Sequence, residues 1–111
     1  MDELYSSKMA QVSLPENPEN LMWKPENVQD HNLTKFRNWI NEKFGEKLEN
    51  YQELHKWSCQ NYDQFWGEIW TFCKVVFSQD YDKVVNTQVP IQEVPKWFPG
   101  AKLNYAENLL K

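Results

Sequence analysis

The spacing of apolar residues predicts a helix in the first half of the chain. Four large apolar side chains recur every three or four positions, which places them on one face of a helix. They are Leu33, Phe36, Ile40 and Phe44. Asp30 or Asn32 can cap the start of this helix, and Gly45 suits its end. We therefore expect a first helix over residues 33–44.

Two further helix starts carry capping-box signals, in which an Asn is followed three residues later by Glu or Gln. Asn50 with Glu53 predicts a second helix that begins directly after Asn50. Asn61 with Gln64 opens a third helix, which the apolar pattern extends over residues 62–77.

The apolar face of the third predicted helix is unusually wide. At about 100° per residue it covers roughly 220° of the circumference, whereas a surface helix hides a stripe of little more than about 100°. Its members are Phe65, Trp66, Ile69, Trp70, Phe72, Cys73, Val75, Val76 and Phe77. The polar remainder includes Gly67 and Glu68. We therefore expect part of the cover for this face to come from a surface outside the 111 residues.

Beyond residue 81 the helical pattern is lost, because three prolines cannot continue a helix. They are Pro90, Pro95 and Pro99. Val84 and Val85 suit a short extended piece. Asn104 with Glu107 then caps a final helix. Because so few residues cannot hold a helix unaided, we expect this end to fray in isolation.

These patterns predict an all-α protein, a small bundle of about four helices with irregular, Pro-containing termini. Residues 1–8 are interpreted as an expression scar, because MDELY resembles the closing residues of green fluorescent proteins. Residues 9–30 are expected to be extended or mobile, because prolines stand there among Glu and Asn. Residues 31–83 are expected to form a helical domain, and residues 84–111 a linker with a first helix leading into a further domain.

Composition narrows the classes of function. The chain has 12 basic and 16 acidic residues and a net charge of −4, whereas nucleic-acid binding requires clustered Lys and Arg. No apolar run approaches the roughly 18 residues of a spanning helix, and the N-terminus has no apolar signal segment. We therefore expect a cytoplasmic protein that binds neither nucleic acid nor membrane. Cys59 and Cys73 are expected to be reduced, buried thiols.

The sequence assigns no catalytic, cofactor-binding or metal-binding residue. The three glycines lie far apart, so no Gly-rich phosphate loop can form. His55 and Cys59 have the i, i+4 spacing of metal ligands on a helix, but no further His or Cys lies in reach. Trp66 and Trp70 could form a ligand platform, although aromatic residues at helical spacing are more often packing residues.

Two aromatic runs stand in the second half of the chain. They are WSCQNYDQFWGEIWTFCKVVFSQDYDKVV (residues 57–85) and VPKWFPGAKLNYAENLL (residues 94–110). Both resemble the start of acyl-CoA synthetases of the acetyl-CoA synthetase type, above all the acetoacetyl-CoA synthetases. The likeness covers roughly residues 21–111, and the second run is its most specific part.

The resemblance implies an adenylate-forming enzyme. In that family ATP and the acyl substrate, here acetoacetate, give an acyl-adenylate and pyrophosphate, and CoA then displaces AMP. ATP, CoA and Mg are thus implied for the complete enzyme. The phosphate loop, adenine-binding segment, hinge and late catalytic Lys of the family are absent from these 111 residues. The implied role of this chain is therefore structural: a helical N-terminal domain that packs on the adenylation domain of the same polypeptide and is inert alone.

Seven aromatic residues are predicted to form the docking face of such a domain. They are Trp57, Phe65, Trp66, Trp70, Trp97, Phe98 and Tyr105. Trp97 and Phe98 are expected to anchor a surface outside the chain. The alternative is a free-standing helical protein-interaction module, and the isolated chain could also self-associate through the same face.

Overall fold

Four α-helices form the regular structure of the protein in the computed structural model, which describes residues 20–111. They are α1 (Asn32–Phe44), α2 (Tyr51–Gln60), α3 (Tyr62–Phe72) and α4 (Tyr105–Leu110). Short 3-10 turns lie at Val28–Asp30 and Ile91–Glu93. No sheet forms within the described residues, and the predicted all-α class is confirmed.

The chain divides into two compact units, Met1–Trp57 and Ser58–Lys111. The boundary falls inside α2, so the first unit contains α1 and most of α2, while the second contains α3, α4 and the long loop between them. The predicted scar at residues 1–8 and most of the segment 9–30 lie outside the described residues.

The core of the first unit forms between α1 and α2. Its buried apolar side chains are Phe36, Ile40, Leu54 and Trp57. The ring of Phe44 closes this core, with its centroid 5.3 Å from that of Trp57. Leu33, the first member of the predicted stripe, is 51% exposed, so the stripe begins one turn later than its pattern indicated.

The start of α1 differs from the predicted one. Its N-cap is His31, without a side-chain capping bond, whereas the sequence favoured Asp30 or Asn32. The buried Thr34 hydroxyl instead donates to the carbonyl oxygen of Val28 at 2.7 Å. This bond ties the preceding 3-10 turn to the first turn of the helix, so a tertiary contact replaces a local cap.

The connection from α1 to α2 begins at Gly45, which has a φ of +67° and confirms the predicted C-cap. The Asn41 side chain then pairs with the backbone of Leu48. Its Nδ2 donates to the Leu48 carbonyl at 2.9 Å, and its Oδ1 accepts from the Leu48 N–H at 2.8 Å. Asn41 therefore holds the connection against the last turn of α1.

The capping box of α2 is formed in a shifted version. The N–H of Glu53 donates to Oδ1 of Asn50 at 2.9 Å, as predicted. The Glu53 carboxylate, however, accepts from the N–H of Glu49 at 2.6 Å, one residue before the position that a capping box uses. Both bonds stabilise the helix start by satisfying N–H groups near it.

α3 ends at Phe72, five residues earlier than predicted. Lys74 takes the left-handed conformation, with a φ of +52°. Its N–H donates to the Thr71 carbonyl at 3.1 Å, and the N–H of Val75 donates to the Trp70 carbonyl at 3.1 Å. This pair of bonds is a Schellman motif, which ends a helix. Because the apolar pattern continues past the motif, periodicity alone overextended the helix.

Residues 75–102 fold back as an irregular loop held by backbone hydrogen bonds. Gln79 pairs with Lys102, and Val85 with Trp97, in isolated antiparallel bridges. The predicted extended piece around Val85 is thus present. The loop returns the chain to the end of α3, where α4 begins.

The side of α3 that the pattern predicted to be polar is partly covered. A Cβ on Gly67 would lie 3.1 Å from Cγ2 of Val84, so the loop approaches the helix closely there. Glu68, expected on the solvated side, is only 8% exposed. The prediction of a solvated Glu68 is therefore wrong, and the absence of a side chain at Gly67 allows this close packing.

Candidate interaction surface

Trp70 on α3 is the centre of an aromatic cluster in the second unit. Its ring centroid lies 4.9 Å from that of Phe98 in a stacked arrangement, 5.1 Å from Tyr81 and 5.5 Å from Phe77. Tyr81 also meets Phe98 edge-on at 5.3 Å. Aromatic pairs of this kind contribute about 0.5–1.5 kcal/mol each beyond burial. The cluster therefore joins α3 to both ends of the loop.

Trp97 extends the aromatic cluster toward the start of α3. Its centroid lies 6.0 Å from that of Tyr62 and 6.3 Å from that of Trp66. Phe65 meets Trp66 edge-on at 5.2 Å. Trp97 and Phe98, expected to anchor a surface outside the chain, thus contact α3 of their own chain.

This internal contact supplies part of the cover that the wide face of α3 needs. Trp70 and Phe98 are half-buried. Trp66 remains 43% exposed and Trp97 40% exposed, so the edge of the cluster is open. Sequence periodicity could not reveal this cover, because the covering residues follow α3 in an irregular loop.

The remaining predicted docking residues occupy different places. Trp57 belongs to the first unit and is 6% exposed, so its ring lies inside the core of that unit. Phe65 is half-buried beside Trp66. Tyr105, at the start of α4, is 79% exposed.

α4 is tied to the end of α3 by two side chains. Asn108 accepts from the N–H of Val76 through Oδ1 at 2.7 Å and donates to the Val76 carbonyl through Nδ2 at 2.9 Å. Nζ of Lys111 donates to the carbonyls of Cys73 at 2.8 Å and Lys74 at 2.6 Å. A lysine near the last carbonyls of a helix also complements the helix dipole.

The N-cap of α4 is as predicted. Oδ1 of Asn104 accepts from the N–H of Glu107 at 3.1 Å. Together with the ties of Asn108 and Lys111, this cap compensates for the short length of the helix. The expected fraying of this end is therefore opposed by contacts that the capping signal alone did not predict.

The opposite side of α4 is apolar and exposed. Leu109 is 66% exposed and Leu110 83% exposed, beside Tyr105. We call the surface of Tyr105, Ala106, Leu109 and Leu110 the α4 face. The docking face predicted from the sequence includes Tyr105 but neither Leu109 nor Leu110, although both leucines belong to the apolar pattern of the final helix.

His55 and the two cysteines are the side chains that the sequence offered as candidates for chemistry. His55 stacks on Tyr51, with the ring centroids 6.0 Å apart. Cys59 and Cys73 are thiols rather than a disulfide, and both are exposed, so the prediction that they are buried is wrong. Each lies at or near the C-terminal end of a short helix.

Within residues 20–111 no group of three or more His, Cys, Asp or Glu side chains could hold a metal ion. A cavity of about 280 Å³ lies in the loop of the second unit. Its lining residues are Lys83, Asn86, Val89, Pro95, Lys96 and Pro99.

Among residues 20–111, every helix is too short or too polar to span a membrane.

The second unit is thus an all-α unit in which a short terminal helix is tied to the end of α3 and has an exposed apolar side. Residues 51–109 match the family described as acetyl-coenzyme A synthetase N-terminus, which includes α2, α3, the loop and nearly all of α4. The chain belongs to this family, as its two aromatic runs predicted.

Similar proteins include several acetoacetyl-CoA synthetases. That of Macaca fascicularis is 45% identical over 91 residues, which is 82% of this chain and 14% of the relative. The malonamoyl-CoA synthetase vrtB of Penicillium aethiopicum is 41% identical over 98 residues, or 86% of this chain and 14% of the relative. The solved acetoacetyl-CoA synthetase from Streptomyces lividans is 36% identical with a TM-score of 0.62, covering 77% of this chain and 13% of that one. The chain thus spans about one-seventh of the length of these proteins.

Proposed function

We propose that this chain is the N-terminal domain of an acetoacetyl-CoA synthetase and packs on the adenylation domain of the same polypeptide. The observation that carries the proposal is the match of 82% of the chain to only 14% of an acetoacetyl-CoA synthetase. The family description, an N-terminus of acetyl-coenzyme A synthetase, supports the same placement.

The complete enzyme would convert acetoacetate, ATP and CoA into acetoacetyl-CoA, AMP and pyrophosphate. We propose that its ATP, CoA and Mg bind outside this chain; among residues 20–111 no group of three or more His, Cys, Asp or Glu could hold a metal ion. The three glycines are also too dispersed for a phosphate loop. The role proposed for this domain in the reaction is structural, and the domain is proposed to be inert alone.

The location of the complete enzyme is proposed to be the cytoplasm. Two exposed thiols, Cys59 and Cys73, fit a reducing compartment. The net charge of −4 supports a domain that binds protein rather than nucleic acid.

The first test is enzymatic. The 111-residue chain and the complete protein encoded by its reading frame are each incubated with ATP, CoA and acetoacetate, and AMP is measured. We expect AMP from the complete protein alone. A parallel incubation with malonamate distinguishes the two acyl substrates named for the relatives. AMP formed by the 111-residue chain would contradict its inertness.

The second test is the native transcript. A reading frame that continues beyond Lys111 into a long Gly-, Ser- and Thr-rich sequence supports the proposal. A stop codon directly after Lys111 would instead favour the free-standing interaction module, whose partner would then be a separate protein.

A further inference from the structure

The two sides of α4 differ sharply in what they contact. At about 100° per residue, Asn104, Asn108 and Lys111 lie within roughly 60° of one another. All three form hydrogen bonds that either cap α4 or tie it to the end of α3. Ala106, Leu109 and Leu110 lie on the opposite side of the helix, and Tyr105 lies at the edge between the two sides.

The ties leave the α4 face no freedom to turn inward. Asn108 bonds Val76 in both directions, and Lys111 bonds two successive carbonyls at the end of α3. Rotating α4 to bury Leu109 and Leu110 would break four hydrogen bonds. The face is therefore held outward by the same side chains that hold the helix in place.

The aromatic cluster is less exposed than the α4 face. Trp70 and Phe98 stack on each other, and Trp97 packs against Tyr62 and Trp66. These rings pack chiefly on one another, although the Trp66 and Trp97 rings at the edge of the cluster remain 43% and 40% exposed. Leu109 and Leu110, by contrast, are more than half exposed and form the apolar side of a fixed helix.

The size of the α4 face indicates what covers it. A stable interface between separate proteins buries roughly 800 Å² per partner, which one tyrosine and two leucines on two turns cannot supply. A small contact suffices within one polypeptide, because the linked parts lose little translational freedom on docking. About six-sevenths of the length of the matched synthetases lies outside this segment, so a partner within the same chain is available.

We infer that the α4 face docks on the adenylation domain of the same polypeptide, and that Asn108 and Lys111 hold it in the docking orientation. This inference rests on the proposed function and names the surface through which the domain packs. It assigns the docking role to Tyr105, Leu109 and Leu110, which are more exposed than the rings of the aromatic cluster.

The test compares hydrogen exchange of the α4 amides in the complete synthetase and in the 111-residue chain. The variant carries Leu109→Gln and Leu110→Gln, since Gln has nearly the helix propensity of Leu. In the complete synthetase we expect these amides to exchange slowly. In the complete synthetase that carries the double substitution, we expect them to exchange at least about 10-fold faster. In the 111-residue chain, the variant and the original should exchange alike, because both leucines are already exposed there.

Ile91→Gln is the matched control, since Ile91 is 57% exposed in the same unit but lies outside the α4 face. It should leave exchange of the α4 amides unchanged in both proteins. Equal exchange of these amides in the complete synthetase and the short chain would overturn the inference, while synthesis of acetoacetyl-CoA would leave the proposed function standing. A dimer of the short chain that the double variant dissolves would assign the face to a second copy and overturn it too. Absence of acyl-CoA synthesis by the complete protein would remove the proposed function and the inference with it.

Discussion

The side-chain amide of Asn108 pairs with both backbone polar groups of Val76, at 2.7 and 2.9 Å, across 32 positions of sequence. In a β-sheet, the two hydrogen bonds of such a residue would be made with the backbone of a neighbouring strand. Asn41 does the same for Leu48 in the first unit. In both units an amide side chain satisfies the backbone where no sheet is present to do so.

Asn108→Ala is expected to lower the free energy of unfolding of the 111-residue chain by about 1–3 kcal/mol, because both partly buried polar groups of Val76 lose their partner. Urea denaturation measures this change. Asn38→Ala is the control: Asn38 is exposed on α1, and Ala there should leave stability unchanged or slightly higher. Equal stability of both variants would show that the Asn108 pair contributes nothing.

Trp70→Ala is expected to destabilise the chain by about 3 kcal/mol, because the ring contacts Phe77, Tyr81 and Phe98. Near-ultraviolet circular dichroism should lose intensity together with stability. Trp23→Ala provides the comparison, since Trp23 is 75% exposed and its removal should change stability by less than about 0.5 kcal/mol. A neutral Trp70→Ala would mean that the aromatic cluster is not the interior of the unit.

Gly100→Ala is expected to cost more than Gly45→Ala. Both glycines have positive φ, at +88° and +67°, so both substitutions incur about 1 kcal/mol of backbone strain. A Cβ at Gly100 would also lie 2.5 Å from Oδ2 of Asp82, whereas a Cβ at Gly45 meets no atom within 4 Å. The steric part of the cost should disappear in the background Asp82→Gly. A double-mutant cycle of Gly100→Ala and Asp82→Gly measures this steric cost. If the two substitutions change the free energy of unfolding additively, the contact is contradicted.

Val94→Asn is expected to stabilise the chain by about 1 kcal/mol. Val94 has a φ of +52°, a conformation that a β-branched residue adopts only with strain and that Asn tolerates. Because the side chain is 80% exposed, its loss removes little packing. Val84→Asn should act in the opposite direction, since Val84 packs against Gly67. Thermal denaturation of the two variants tests the sign, and a destabilising Val94→Asn would exclude strain at this position.

The sequence by itself determined the features that depend on neighbouring residues. Gly45 ends α1 because a glycine takes positive φ at little cost. Asn104 and Glu107 start α4 because the cap spans only three residues. The two aromatic runs likewise identified the family, since a motif is a local property of the chain.

Tertiary structure decided the features that depend on residues far apart in sequence. α3 stops at Phe72 because Lys74 reverses the chain into a loop, and the apolar pattern carries no record of that reversal. Phe98 reaches Trp70 only after the loop returns, so two residues 28 positions apart in sequence pack on each other within the second unit. Asn108 finds Val76 by the same return. These contacts form because burying large rings and hydrogen-bonding backbone groups are favourable once the loop closes. The periodicity of apolar residues along the chain does not indicate which distant residue will be the partner.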